Sequence, residues 1–151
     1  MSGITDLETL LASLDPVLSP ARYAFRSCGK EEASALMAAD GNDEEPFAFI
    51  REEEGWTVIL PLGQNNPAAE ADSVSAAAMK RITLNVHSSL EAVGLTAHVS
   101  RVLAGRNISA NVVAGFYHDH IFVPEDRAEE ALAALTTWPS CRGGRRRFLR
   151  W

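Results

Sequence analysis

The sequence predicts an α+β fold: two ferredoxin-like (βαββαβ) units in tandem, antiparallel sheets with helices packed on one face. Three observations predict it. Arg81–Pro124 reads strand, helix, strand, strand and then runs into a further helix. The first half repeats that order after an additional N-terminal helix, although no residue-level identity links the halves. The strand segments alternate apolar and polar residues, whereas the segments between them repeat at helical spacing.

Taken in order, Ile4, Leu7, Leu10, Leu11 and Leu14 form an apolar helical stripe, with Thr5 or Asp6 as its cap. Asp15-Pro16 stops it, since proline cannot continue a helix. Tyr23–Ser27 is a short strand, Cys28-Gly29 a turn, and the Ala-rich Glu31–Ala39 a helix. Pro46–Glu52 and Trp56–Pro61 form a hairpin with Gly55 at a positive-φ position. Ala68–Ala78 is a weaker helix, containing Ser73 and Ser75. In the second half, Ile82, Leu84 and Val86 share one strand face, opposite Thr83, Asn85 and His87. Ser88 or Ser89 caps a helix carrying Leu90, Val93, Leu95, Ala97, Val102 and Leu103, which Gly105 ends through positive φ. Strands over Ile108–Ala114 and Phe116–Val123 meet at Gly115, and Pro124 opens the last helix. The units span 1–75 and 76–138, and 139–151 is an Arg-rich tail. Their sheets can be separate or fused edge to edge, because a paired edge is better satisfied than an exposed one.

The 151 residues are enough to bury a core, and 46% hydrophobic with 23% charged residues fits a globular chain. No apolar run reaches the length of a membrane helix, and MSGITDLETLL is not a secretion signal, so the expectation is cytoplasmic with no membrane partner. Cys28 and Cys141 stand far apart without a CxxC and read as free thiols. The net charge is −6, yet five arginines crowd the last ten residues. Without them, 9 basic residues face 20 acidic ones, about −11, a body that repels a phosphate backbone. Nucleic acid is therefore not an expected partner.

The stretches ITLNVHSSLEAVGLTAHVSRVL and ISANVVAGFYHDHIFVPEDRAEEALAAL resemble a small bacterial family of tandem ACT-domain proteins. SGITDLETLLASLDPVL and FAFIREEEGWTVILP resemble the less typical first ACT unit of that family, so the likeness runs from Met1 to about Leu135. It implies βαββαβ modules that bind small effectors, usually amino acids, and associate side by side. A homodimer is the implied assembly.

Two sets of residues could carry chemistry. The turn from strand to helix, His87, Ser88, Ser89, Leu90, Val93, Gly94 and Leu95, offers unpaired helix-start amides and the positive end of a dipole to a carboxylate. The resemblance points to the same loop together with Asn111 and Val112, where Asn111 offers both donor and acceptor. The competing reading makes the serines a cap and Gly94 a packing residue. Glu91, at the first helical turn, reads as solvent-facing. The second set is His118-Asp119-His120, whose two imidazoles share a strand face at metal-ligand spacing. A metal there needs His87 or His98 as a third ligand. With the first and third strands of the unit taken as parallel, His87 falls near Phe122 or Val123, away from His120. No nucleophile elbow, P-loop or dinucleotide fingerprint is present. The reading is a small-molecule-binding regulatory module with no catalytic residues and no cofactor; the alternatives are a metal-dependent or acid–base enzyme using His118 and His120, or a dimerisation scaffold.

Overall fold

The computed structural model describes residues 6–38, 45–63, 78–86 and 93–137. Within them the chain runs α1 (Leu7–Ala12), β1 (Pro16–Cys28), α2 (Lys30–Ala38), β2 (Ala48–Arg51), β3 (Trp56–Pro61), β4 (Met79–Leu84), α3 (Leu95–Ala104), β5 (Asn111–Ala114), β6 (Asp119–Pro124) and, after one 3-10 turn, α4 (Ala128–Thr136). The strands form one six-stranded sheet in the order β2-β3-β1-β4-β6-β5. Every pairing is antiparallel. The two sheet halves are thus fused through β1 and β4.

α1 is set by its cap. Asp6 accepts from the Thr9 amide at 2.8 Å and from its hydroxyl at 2.6 Å, which holds the Asp6 carboxyl below its ordinary pKa. β1 is far longer than the strand its alternation predicts. Its register with β4 shifts between Leu18 and Arg22, where Pro20 has no N–H to give the ladder. The Ala21 amide turns to Ser19 Oγ, and Lys80 Nζ donates to the Pro20 carbonyl at 2.8 Å. β2 and β3 form the expected hairpin, with Gly55 at φ +155° and the Glu52 amide on its carbonyl.

All four helices lie on one side. Leu10, Ile82, Leu84, Val86, Leu95, Val99, Leu103, Ile121, Val123, Ala131 and Leu135 form the main core beneath α1, α3 and α4. Ala33 of α2 packs on Cys28, Val58 and Leu60 on the same side. Cys28 is buried and unbridged, and burial raises its thiol pKa. The alternate residues point the other way, where Phe122 meets Tyr23, Phe25 and Phe47 edge to face with ring centroids 5.3–5.5 Å apart.

Three expectations need correction. Gly105 takes an ordinary helical φ of −62°, and the positive φ falls on Asn107 at +56°, two residues later. Asparagine tolerates that conformation because its short amide bonds locally. β5 is shorter than its predicted run because 108–110 lead in from the Asn107 turn before pairing starts at Asn111, and β6 starts only at Asp119 because the chain turns from Gly115 to His118, where the Gly115 amide donates to the His118 carbonyl. Phe116 and Tyr117 therefore sit at a hairpin tip, 69% and 66% exposed and edge to face with each other, not in the predicted strand. Of the predicted helix over 68–78 only Ala78 is described, and it is not helical; Cys141 and the Arg-rich tail lie outside the described residues, as do His87, Ser88, Ser89, Leu90 and Glu91.

Candidate functional site

β4 delivers the chain to the strand–helix junction, and α3 begins later than the Ser88/Ser89 cap implies. Its first residue is Leu95 and its N-cap is Gly94, at φ +103° and with no side-chain cap bond. Its first turn contains no acidic residue. The His98 amide closes the turn on the Gly94 carbonyl at 2.8 Å. Leu95, Val99 and Leu103 drive one face of α3 into the core, while Val93 just before it is 84% exposed. A Cβ at Gly94 would stand 3.0 Å from Leu7 Cδ2, so α1 lies directly against the start of α3. Burial, then the charge of Arg101, lowers the His98 pKa.

The sheet separates the two β5 candidates. Val112 packs with the core on the helix side, near the elements that carry Leu95. Asn111 is exposed and its Nδ2 reaches Met79 Sδ at 3.7 Å, among the residues of the other face. Gly94, Leu95 and Val112 thus share the helix side, Val93 precedes them exposed, and Asn111 does not join them within one chain.

The histidine motif is also arranged differently from expectation. β4 and β6 are antiparallel, with Leu84 opposite Asp119, so the chain leaves β4 at the Asp119 end of β6 and not at the Phe122 end. This follows from the split β-α-β order, in which the strand inserted between two parallel strands opposes both. His120 Nδ1 lies 3.1 Å from Thr83 Oγ1, and its ring meets Phe47 edge to face with centroids 4.9 Å apart. Burial, the Arg81 charge and His118 lower the His120 pKa to about 4. Burial raises that of Asp119, against the opposing pull of His118. Among the described residues no three His, Cys, Asp or Glu side chains are grouped to hold a metal ion.

A feature that sequence reasoning passed over lies on the helix-free face. Ala21, Tyr23, Glu45, Pro46, Phe47, Pro61 and Arg81 line a cavity of about 360 Å³. Its sequence signal was slight: an arginine in phase with Thr83 on a strand whose other phase is apolar.

Residues 2–76 and 80–137 each match a family model described as ACT domain. The chain belongs to the ACT domain family. A solved structure of a protein of unknown function from Vibrio cholerae, described as a possible transport protein, is similar to this tandem ACT chain. It is 42% identical over 89% of this chain and 97% of that one, with a TM-score of 0.67. The ligand-free regulatory subunit of aspartate kinase from Thermus thermophilus shares the fold at 11% identity, covering 82% and 96% of the two chains, with a TM-score of 0.61. Aspartokinase alpha and beta subunits share it at 14% identity, 81% and 95% coverage and a TM-score of 0.57. No curated protein matches the chain. ACT domains are ligand-binding regulatory modules, and no helix among the described residues is long and apolar enough to cross a membrane.

Proposed function

We propose that this tandem ACT protein is a cytoplasmic regulatory module whose effector is an amino acid, and that it performs no catalysis of its own. The observation that carries the reading is the start of α3. A ten-residue helix opens on a left-handed glycine that makes no side-chain cap bond, and its first turn holds no acidic residue. An effector carboxylate supplies what a Ser or Asp cap would have supplied, at the positive end of the helix dipole. The proposed ligand set adds His87, Ser88, Ser89 and Leu90 of the preceding sequence to Val93, Gly94 and Leu95 at the helix start, with Val112 on its apolar side. Asn111 lies on the end strand β5 and on the opposite face, so it can reach an effector only across a subunit boundary. That placement favours a homodimer associating near β5.

Thermal-shift measurements against the common amino acids test the reading. A true effector at a hundredfold excess over its Kd stabilises by about 2.7 kcal/mol. The double change Ser88→Ala, Ser89→Ala is expected to reduce the shift. If no amino acid moves the transition at millimolar concentration, the amino-acid reading is lost, and light scattering then decides whether a dimerising scaffold remains.

A further inference from the structure

We propose that the helix-free face of the sheet carries a second ligand site, which takes a small monocarboxylate with an apolar body and holds it at Arg81. The site is independent of the α3 junction. Ile82 and Leu84 point into the core beneath the helices, so Arg81 and Thr83 point to the opposite face.

The other described arginines with ordered partners each hold a carboxylate: Arg22 holds Glu125, Arg26 holds Glu32 and Arg127 holds Glu130. Arg81 instead packs against rings. Its Cζ lies 5.2 Å from the Tyr23 ring centroid and 4.6 Å from that of Phe47. Those rings stand edge to face, 6.1 Å apart and inclined at 73°, and form a notch for the guanidinium. Ring faces attract the cation without accepting the directed hydrogen bonds a carboxylate accepts, so the N–H donors retain that capacity. The Nε atom is buried and finds no hydrogen-bond partner among the described residues. Among the described residues, then, Arg81 is served by rings and by no carboxylate, in a chain of net charge −6.

The cavity beside it supplies room and chemistry for the rest of the ligand. Its volume of about 360 Å³ falls within the usual range for small-molecule pockets, about 300–1,000 Å³. Ala21, Tyr23, Pro46, Phe47 and Pro61 make most of its wall apolar. Glu45, exposed and also lining it, disfavours a second negative charge and so selects against phosphate and dicarboxylates. It could also meet an amino group, so the ligand is either a simple carboxylate or the carboxylate end of an apolar amino acid.

His120 supplies a reporter. It meets the same Phe47 ring edge to face, and Arg81 is one of the charges that lower its pKa. An anion seated on Arg81 offsets that charge, so the His120 pKa should rise on binding.

The experiment is an NMR titration of the full chain with phenylacetate, phenethylamine, inorganic phosphate and L-phenylalanine. Expected are saturable shifts of the Tyr23, Phe47 and His120 resonances with phenylacetate, a raised His120 pKa, and no comparable response to phenethylamine or phosphate. Arg81→Gln should weaken phenylacetate at least about tenfold, the scale of losing one charged bidentate contact. Ala21→Leu, which narrows the cavity and keeps Arg81, should weaken it as well; circular dichroism checks that both variants fold. Tighter binding of L-phenylalanine than phenylacetate, reversed by Glu45→Gln, identifies the amino-acid form; equal or weaker binding identifies the simple acid. The proposal is overturned if phenylacetate leaves those resonances unmoved, if phenethylamine binds as well, or if folded Arg81→Gln binds unchanged. Ser88→Ala, Ser89→Ala should leave the phenylacetate response intact, which separates failure here from failure of the effector site.

Discussion

Gly94→Ala isolates the backbone feature on which the α3 junction depends. At φ +103° an L-residue is strained whatever space surrounds it, and such positions cost about 1–3 kcal/mol. There is a second contribution, from sterics. The new Cβ would lie 3.0 Å from Leu7 Cδ2 and 3.6 Å from Cδ1. Those atoms are the far end of a flexible side chain, so a small rotation relieves the clash, whereas no side-chain movement relieves the dihedral. Strain should therefore dominate. For a chain of this size each kcal/mol moves the melting point by about 2–4 °C, so the variant should melt roughly 2–12 °C lower. A double-mutant cycle with Leu7→Ala separates the contributions, read by urea unfolding of the four proteins. The expected coupling is below about 0.5 kcal/mol, as for sites that do not share an interaction. A neutral Gly94→Ala, or a cost abolished by Leu7→Ala, would refute the claim that the conformation of Gly94 defines the start of the helix.

Other expectations follow from the same structure. Phe122→Ala removes a fully buried ring, so it should cost about 3–5 kcal/mol in chemical denaturation. Phe122→Leu, which keeps bulk but forfeits the contacts to Tyr23, Phe25 and Phe47, should cost less than Phe122→Ala. Gly115→Ala would bring a Cβ to 2.6 Å from the His118 carbonyl oxygen, backbone against backbone, and should lower stability by about 1–3 kcal/mol. For His120 the folded pKa of about 4 lies below the ordinary 6.5, so on acidification the unfolded chain takes up its proton first. Its contribution to stability is full above about pH 6.5 and is lost as the pH falls toward about 4. Urea midpoints measured across that window should drop for the parent protein and drop less for His120→Gln.

Much of the fold was legible because local pattern and tertiary demand agreed. Trp56–Pro61 is observed as a strand over those same residues, and Gly55 has the backbone its turn requires. Ile82, Leu84 and Val86 are buried as their alternation implied. β1 was mostly hidden, because Ser19-Pro20 interrupts the alternation and only a neighbouring strand shows that the chain continues past the bulge. The tip aromatics Phe116 and Tyr117 misled because strand propensity expresses fit to a half-buried surface, which a hairpin end does not provide. At the candidate site, Gly94 was legible as a special residue but not as the cap. Asn111 and Val112 are sequence neighbours, but their opposite facing follows from pairing with β6, which spacing alone does not reveal. The Arg81 notch is assembled from three separate stretches, and no local motif could announce it.

The continuous pairing of β1 with both β3 and β4 has a practical implication for anyone dissecting the duplication. Expressed alone, residues 79–137 would lay bare the flank of β4 that β1 now occupies, and the preceding half would lay bare the matching flank of β1. Each fragment would then be adhesive, ready to recruit another copy or to precipitate. The two repeats share one sheet, and each completes an edge the other would leave open.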